Sequence, residues 1–281
     1  MAVDYNRTSN GSVLPTPVAQ EIITKAREAS LVMTKANRKP LTLGAAAVTL
    51  SNGVSGSKFV GETERKPVGT ANWSEKVMRA QKIALVLSFS TEFKRDKAAL
   101  YRALVDDMPK DLARTFDNAA LHGIGRPVSA EFDDLAASPT VALGANVYAS
   151  LLTGIEAVGA ANGDITEWDM SIAGEVALLG AKDGSGRPLF TAGVQSGQVG
   201  SVLGRPVVKS KAVTNGTIVG LGVDWNAMFW GMVESIKYEE YNGPIFNANG
   251  TLKHAGAQDN MFSVICEVEA AFRTLDKSRA V

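Results

Sequence analysis

The sequence predicts an α+β fold in two lobes, because helix-like and strand-like segments are interleaved without the regular alternation that builds a parallel sheet. Residues 82–90 alternate large apolar side chains with smaller or polar ones, as in a strand with one buried face. Residues 96–122 instead carry an apolar side chain at every fourth position, which indicates one long helix. A chain of 281 residues, 45% of them hydrophobic, is long enough to bury a sizeable core around these elements.

The first segment, residues 1–44, is predicted to be an N-terminal arm that includes a short helix. Residues 1–16 are polar and prolines close them off, so we expect a flexible arm. Residues 18–30 then place Glu21 and Lys25 one helical turn apart, which favours a short helix.

The next segment, residues 45–80, is predicted to be an extended loop. Its centre, SNGVSGSKFVGETERKPVGTANWSEK at 51–76, has scattered glycines, mixed charges and no apolar periodicity. A segment of this length without its own core is uncommon in a compact domain, and its large apolar side chains are costly to leave in water. We therefore predict an extended hairpin that leaves its own subunit and is held by a neighbour. The residues expected at this contact are Lys58, Phe59, Val60, Glu62, Arg65, Lys66 and Trp73.

The predicted long helix 96–122 has one apolar ridge, formed by Leu100, Leu104, Met108, Leu112, Phe116 and Ala120. Asp96 is expected as its N-cap, since a short acidic side chain accepts the free N–H groups of a first turn. Gly123 is expected just beyond its C-terminus, where a positive φ ends a helix. Pro109 should bend the helix mildly, because it donates no hydrogen bond.

Two further helices and several strands complete the chain. The predicted helix faces are Val147, Leu151, Ile155 and Val158, and, near 169–179, Met170, Ala173 and Val176. KDGSGRPLF, at 182–190, has the glycines and charges of a phosphate loop. It follows a helix and precedes a strand, which is the reverse of a phosphate-binding order, so we interpret it as a turn. Strand-like segments follow at 201–213, 216–225, 228–241 and 260–272.

Composition argues against a catalytic or tightly nucleic-acid-binding protein. Lysine plus arginine number 29 and aspartate plus glutamate number 29, whereas proteins that grip nucleic acid usually have a basic excess. Cys266 is the single cysteine, and its alternating surroundings favour a buried hydrophobe over a reactive thiol. His122 and His254 lack metal-ligand spacing. We expect no cofactor, no metal and no membrane span.

Four segments, which follow one another along the chain in the order of the family, resemble those of tailed-phage major capsid proteins of the Hong Kong 97 (HK97-like) fold. The helix, KDGSGRPLF and then LGRPVV resemble the apical domain, and SKFVGETERKP resembles the extended loop. FSTEFKRDKAALYRALVDDMPKDLARTFDNAALHG resembles the strand and spine helix of the peripheral domain, and NMFSVICEVEAAFRTLD resembles its closing strand. Together these segments cover most of residues 45–276.

The resemblance implies a peripheral domain at 81–128 and 236–281 and an apical domain at 129–235. It implies a subunit that self-assembles through hexamers and pentamers into an icosahedral shell around the double-stranded DNA of a tailed bacteriophage. Such a protein is made in the host bacterial cytoplasm and ends in the virion. Its expected partners are its own copies, a portal protein, a decoration protein and non-specifically packaged DNA. Because the arm follows Met1 almost at once, we expect the scaffolding protein to be separate.

In some members of this family, a loop lysine forms an isopeptide bond with an asparagine near the start of the closing strand, promoted by a glutamate on that strand. Lys58, Lys66 and Lys76, together with Asn260 and Glu267, resemble this set. The alternative, which we favour, is that Asn260 ends a turn and Glu267 faces water or an interfacial salt bridge.

Two rival interpretations stay open at this stage. An encapsulin-like nanocompartment would share the fold and enclose an enzyme, although the arm and the glycine-rich loop favour a phage protein. A soluble α+β enzyme could pair Asp106, Asp107, Asp133 and Asp134 in a cleft, but adjacent acids point in different directions and are more typical of a solvated face.

Overall fold

The computed structural model describes residues 30–281, apart from 42–43, 97, 129–130, 145, 183–186, 188–189, 191–199 and 234–236. The short helix predicted at 18–30 and most of the turn predicted at 182–190 lie outside the described residues. The helices are α1 (Leu31–Lys35), α2 (Thr91–Asp96), α3 (Ala98–His122), α4 (Val147–Ala160) and α5 (Ile172–Gly180). The strands are β1 (Asn37–Arg38), β2 (Ala45–Ser55), β3 (Thr70–Arg79), β4 (Gln81–Ser90), β5 (Glu167–Met170), β6 (Ser201–Val202), β7 (Arg205–Lys209), β8 (Gly220–Val223), β9 (Met228–Met232), β10 (Lys237–Tyr241), β11 (Ile245–Phe246), β12 (Leu252–His254) and β13 (Met261–Thr274).

A large mixed sheet is built around β13. Antiparallel β4 pairs with its residues 261–270, β10 and β9 also pair antiparallel with it, and β1 lies parallel to β9. Alternate residues of β13, including Phe262, Cys266 and Phe272, are buried in the same core as the ridge of α3. The predicted burial of Cys266 is therefore confirmed.

The part of the predicted α3 ridge that the structure describes is also confirmed. Met108, Leu112, Phe116 and Ala120 are buried, while the side chains of Leu100 and Leu104 lie outside the described set. The ring of Phe116 meets that of Phe132 edge to face, with centroids 6.2 Å apart. This cluster is the main core of the protein.

The C-terminus of α3 matches the prediction, and its N-terminus does not. Gly123 has φ +66, and its N–H donates to the carbonyl of Ala119 at 3.2 Å, so it ends the helix. Asp96 is not an N-cap, because it is the last residue of α2 and pairs with Arg95 at 2.8 Å. The helical region starts earlier, where Ser90 Oγ accepts the N–H of Phe93 at 3.1 Å and so caps α2.

A small sheet of order β6-β7-β5-β8 forms the second lobe, and α4 and α5 pack on it. The predicted face of α4 is largely confirmed, since Val147, Leu151 and Val158 are buried and Ile155 is half-buried. The helix predicted near 169–179 is wrong in its start and its face. Met170 belongs to the fully buried β5, Ser171 Oγ caps α5 through the N–H of Gly174, and α5 buries Gly174 and Leu178 rather than Ala173 and Val176. The same apolar residues suit a strand followed by a capped helix, and periodicity alone did not separate the two.

Candidate assembly interface

The extended loop is a β-hairpin, as predicted. β2 and β3 pair antiparallel from Ala45 opposite Arg79 to Ser55 opposite Thr70, with a register shift between Ser51 and Val54. Residues 56–69 close the hairpin. The glycines of this segment therefore serve the closing loop and do not prevent a regular ladder from forming below it.

The base of the hairpin is attached to the large sheet. Val48 and Met78 are buried beside Leu41 and Ala271. Lys76 Nζ donates to the carbonyl oxygens of Thr274 at 3.1 Å and Leu275 at 2.8 Å. A lysine bound in this way fixes the position from which the hairpin extends.

Beyond its base, the hairpin is exposed. Every described side chain from Val54 to Ala71 is exposed, and so is that of Trp73. Phe59 is exposed to 108% of its reference value, Val68 to 94% and Trp73 to 71%, which is the exposure of an isolated peptide rather than of a domain surface. Such large apolar side chains gain free energy when a partner covers them.

All the residues predicted at the contact lie on this exposed part. Among the three apolar ones, Val60 has the lowest exposed fraction, at 37%. Among the described residues, no ion pair is formed by Lys58, Glu62, Arg65 or Lys66, so these charges are available to a partner. Sequence reasoning missed Val54 and Val68, although an isolated valine between glycines carries the same signal as Phe59.

The closing loop has a shape set by its own backbone. Gly56 has φ +109, and a Cβ on it would lie 2.8 Å from the Cα of Gly69, so the two strands need glycine where they meet the loop. At the tip, the N–H of Glu64 donates to the carbonyl of Gly61 at 3.2 Å, and the Glu64 carboxylate accepts the Gly61 N–H. These bonds close a formed turn over residues 61–64 at the tip of the loop.

The histidine nearest to a serine is not arranged as a catalytic base. His254 Nε2 lies 2.8 Å from Ser88 Oγ, while its Nδ1 accepts the N–H of Gly256 at 3.3 Å. Because Nδ1 is an acceptor, Nε2 carries the proton and donates to Ser88. A ring in this tautomer cannot remove a proton from that serine.

The acids that an enzyme could have paired have structural partners instead. Asp133 accepts from Arg273 at 3.0 Å and from the N–H of Thr274 at 3.2 Å. Asp134 accepts from Lys277 at 3.4 Å and from Arg126. Within the described residues, no group of His, Cys, Asp or Glu side chains could hold a metal ion. None of the helices in the described ranges is long and apolar enough to span a membrane.

Three residues of the set that resembles the isopeptide arrangement, Lys76, Asn260 and Glu267, form contacts within the subunit. Asn260 has φ 52, and its carbonyl accepts the N–H of Thr91 at 2.9 Å, so it ends a turn before β13. Glu267 pairs with Lys82 at 2.9 Å. Both contacts fit the structural alternative that the sequence analysis favours.

These features define a class of protein. The core is complete within the chain, no catalytic constellation is present in its described part, and an exposed apolar hairpin is fixed at its base. That combination is typical of a structural subunit that is completed by assembly.

Comparison with known proteins gives the family. The family model of the phage capsid family matches residues 10–279. The chain belongs to the phage capsid family, and it is a major capsid protein with an HK97-like fold. The family and fold class predicted from the sequence are thus confirmed.

The relatives and solved structures have low sequence identity to this chain. The "Probable major capsid protein gp17" of Mycobacterium phage L5 is 26% identical, over 94% of this chain and 86% of the relative. A solved chain of Gordonia phage Cozz superposes with a TM-score of 0.76 at 22% identity, over 90% of this chain and 85% of that one. A capsid chain of an empty GTA particle gives a TM-score of 0.61 at 15% identity, over 100% and 93% of the two chains.

Proposed function

We propose that this capsid protein assembles through hexamers and pentamers into the icosahedral shell of a tailed bacteriophage, and that the β2–β3 hairpin holds neighbouring subunits together. The observation that carries the proposal is the exposure of Val54, Phe59, Val68 and Trp73 on a hairpin whose base is fixed. The contact residues are those named from the sequence, with Val54 and Val68 added.

The energetic argument rests on burial. Covering a large apolar side chain stabilises a contact by about 1.5–3 kcal/mol. Several such side chains on each hairpin, repeated at every subunit boundary, give a shell much of its cohesion. Lys58, Glu62, Arg65 and Lys66 would set the register of the contact through charge pairs at its rim.

The lobes correspond to two domains in this proposal. The peripheral domain contains α3 and the large sheet, and the apical domain contains the small sheet with α4 and α5. β9 falls within the range 129–235, yet it pairs with β13 in the large sheet, so we place the end of the apical domain before Trp225. The arm at 1–44 then precedes the hairpin at 45–80.

The wider setting follows from the same proposal. The shell would enclose double-stranded DNA without reading its sequence, since the net charge of the chain is zero. A portal, a separate scaffolding protein and a decoration protein are the other partners we propose, with synthesis in the bacterial cytoplasm and no catalytic activity.

The test is to remove the closing loop without disturbing the base. Ser55 and Thr70 are register partners, so replacing residues 56–69 by Asn-Gly would close the ladder with a two-residue turn. We expect a folded, soluble subunit that forms no shells in sedimentation or mass photometry. Shells at the wild-type yield would overturn the proposed role of the hairpin. Particles of the parent chain that contain enzyme rather than DNA would point to the nanocompartment instead.

A further inference from the structure

Two buried carboxylates lie side by side on β5. Glu167 and Asp169 are two residues apart on a strand, so their side chains leave the same face of the small sheet. Asp169 is 0% exposed and Glu167 is 7% exposed. Burying two acids this closely is costly unless their charge is compensated.

The partners of the pair come from different parts of the chain. Lys35 Nζ, at the end of α1, lies 2.7 Å from Oε2 of Glu167. The indole Nε1–H of Trp225 donates to Oδ2 of Asp169 at 3.0 Å. Trp225 begins the turn that leads into β9 of the large sheet. The acids therefore join α1, the small sheet and the chain returning to the large sheet.

The compensation is incomplete when both acids are ionised. Oε1 of Glu167 and Oδ1 of Asp169 are buried and have no hydrogen-bond partner among the described residues. The strands beside Asp169 place Val208 and Leu221 opposite it, and neither can supply a charge.

The nearby acid on the Trp225 turn is engaged elsewhere. Asp224 accepts the N–H of Asn226 and pairs with Arg279 at 3.3 Å. One positive charge, that of Lys35, thus faces two acids, and one proton shared between their free oxygens would balance the charge and satisfy both atoms.

We propose that Glu167 and Asp169 form a binding site for one proton, which locks α1 and the Trp225 turn onto the small sheet while the proton is bound and loosens them when it is lost. The proton leaves to solvent, and the pair then carries two buried negative charges against the single charge of Lys35. Water must enter to solvate the second charge, and it enters by displacing the elements that cover the pair. The lock closes on the acid side of neutrality.

The electrostatics of the site agree with this direction. Burial first, and then the charge of Glu167, raises the pKa of Asp169 to about 7, and these causes outweigh the hydrogen bond from Trp225 and the charge of Lys35, which lower it. A carboxyl group whose folded-state pKa lies above its usual value favours the closed, protonated state at low pH, and this stabilisation is lost as pH rises through the raised pKa.

α1 is held at its other end by a second buried acid. Asp117 of α3 accepts from Ser30 Oγ at 2.6 Å and from the N–H of Leu31 at 2.9 Å. Entry of water beside Lys35, which solvates the second negative charge, would therefore loosen one end of α1 while the other stays on α3. The arm and the small lobe would be uncoupled without loss of the main core.

The experiment compares the full-length chain with Asp169→Asn. Asparagine keeps the size of aspartate and an oxygen for Trp225, and it cannot ionise. Hydrogen exchange of the α1 amides is measured from about pH 5.5 to about pH 8.5 and corrected for the intrinsic exchange rate. We expect wild-type protection to fall about tenfold or more across this range, and the variant to keep only the smaller fall below about pH 6.5 that Asp117 contributes.

Matched variants make the outcome decisive. Asp107→Asn removes an exposed acid paired with Lys110 and should leave the wild-type pH profile intact. Glu167→Gln removes the neighbouring charge and should move the transition to lower pH, and it serves as the test if Asp169→Asn does not fold. Wild-type protection that is independent of pH, or a fall above about pH 6.5 that survives in Asp169→Asn, would overturn the proposal.

Discussion

The β2–β3 hairpin and the β4–β13 pair are both long antiparallel ladders, and Ala80 joins one directly to the other. The β4–β13 pair turns alternate side chains onto α3, where they form the main core. Among its side chains that the structure describes, the hairpin buries only those at its base. Both ladders are therefore paired through their backbones, and they differ in side-chain burial. The β4–β13 ladder is stabilised by burial within one chain, whereas the exposed part of the β2–β3 hairpin needs a partner to cover its apolar side chains.

The largest effect is expected where burial is complete within the subunit. Leu112, on the ridge of α3, is 3% exposed. Leu112→Ala leaves a cavity in the main core and should lower the free energy of unfolding by about 2–5 kcal/mol, measured by denaturant titration of unassembled protein. Leu152→Ala, at a 44% exposed position on α4, is the control and should change little. An unchanged stability for Leu112→Ala would mean that the α3 core is not the support of the subunit.

The next effect is a pH dependence of the same core. Burial raises the pKa of Asp117 to about 6, against the opposing effect of its hydrogen bonds from Ser30 and from backbone N–H groups. Because this pKa is above the ordinary value, the folded protein binds the proton more tightly, and stability falls as pH rises from about 4 to about 6. We expect a loss of about 1–3 kcal/mol across that window, and a smaller loss in Asp117→Asn.

Asp276 contributes a pH dependence of stability with the opposite sign, and it serves as a control on the pH range assigned to Asp117. The Ser278 hydroxyl and backbone N–H lower its pKa, so its stabilising effect disappears only at pH below the ordinary aspartate value. Wild-type stability that rises between about pH 4 and about pH 6 would contradict the assignment of Asp117.

Elements with a periodic apolar pattern could be predicted from the sequence, whereas features that depend on a contact between particular residues could not. The ridge at Met108, Leu112 and Phe116 recurs with helical spacing, so α3 was predictable. The cap at Ser90 was missed because Asp96 is also a capping residue type, and only the hydrogen bond to Phe93 decides between them. Trp168 and Met170 fit a strand or a helix equally well over so short a segment.

The same difference separates the exposed hairpin, which could be predicted from the sequence, from the buried acid pair, which could not. The exposed hairpin could be predicted, because large apolar residues among glycines have no core of their own to join. The Glu167–Asp169 pair could not, because two acids spaced by one residue are usually solvated. Their burial is created by Lys35 and Trp225, which are distant in sequence.

A small effect on stability and a large one on assembly are expected at the hairpin. Phe59→Ser and Trp73→Ser remove exposed side chains, so the free energy of unfolding of the unassembled subunit should change by no more than about 0.5 kcal/mol. Shell yield should fall sharply, as seen by sedimentation. Val128→Ser, at a position exposed to 108%, is the matched control and should assemble normally. If Phe59→Ser destabilised the isolated subunit as Leu112→Ala does, the contrast between the two ladders would fail.

The smallest effect concerns covalent bonds between the two ladders, where we expect none. An isopeptide bond needs a neutral lysine on the hairpin and an unengaged carboxylate beside Asn260 to remove its proton. Glu267 instead forms an ion pair with Lys82, and Lys76 is bound to the carbonyls of Thr274 and Leu275. Lys58 and Lys66 lie on the exposed loop at 56–69, and a solvated ammonium is a poor nucleophile. Particles boiled in detergent should therefore give a single band near 29.6 kDa on a denaturing gel, and Asn260→Ala should not alter it. A ladder of higher bands that disappears in Asn260→Ala would show that assembly rearranges β13 enough to free Glu267 from Lys82.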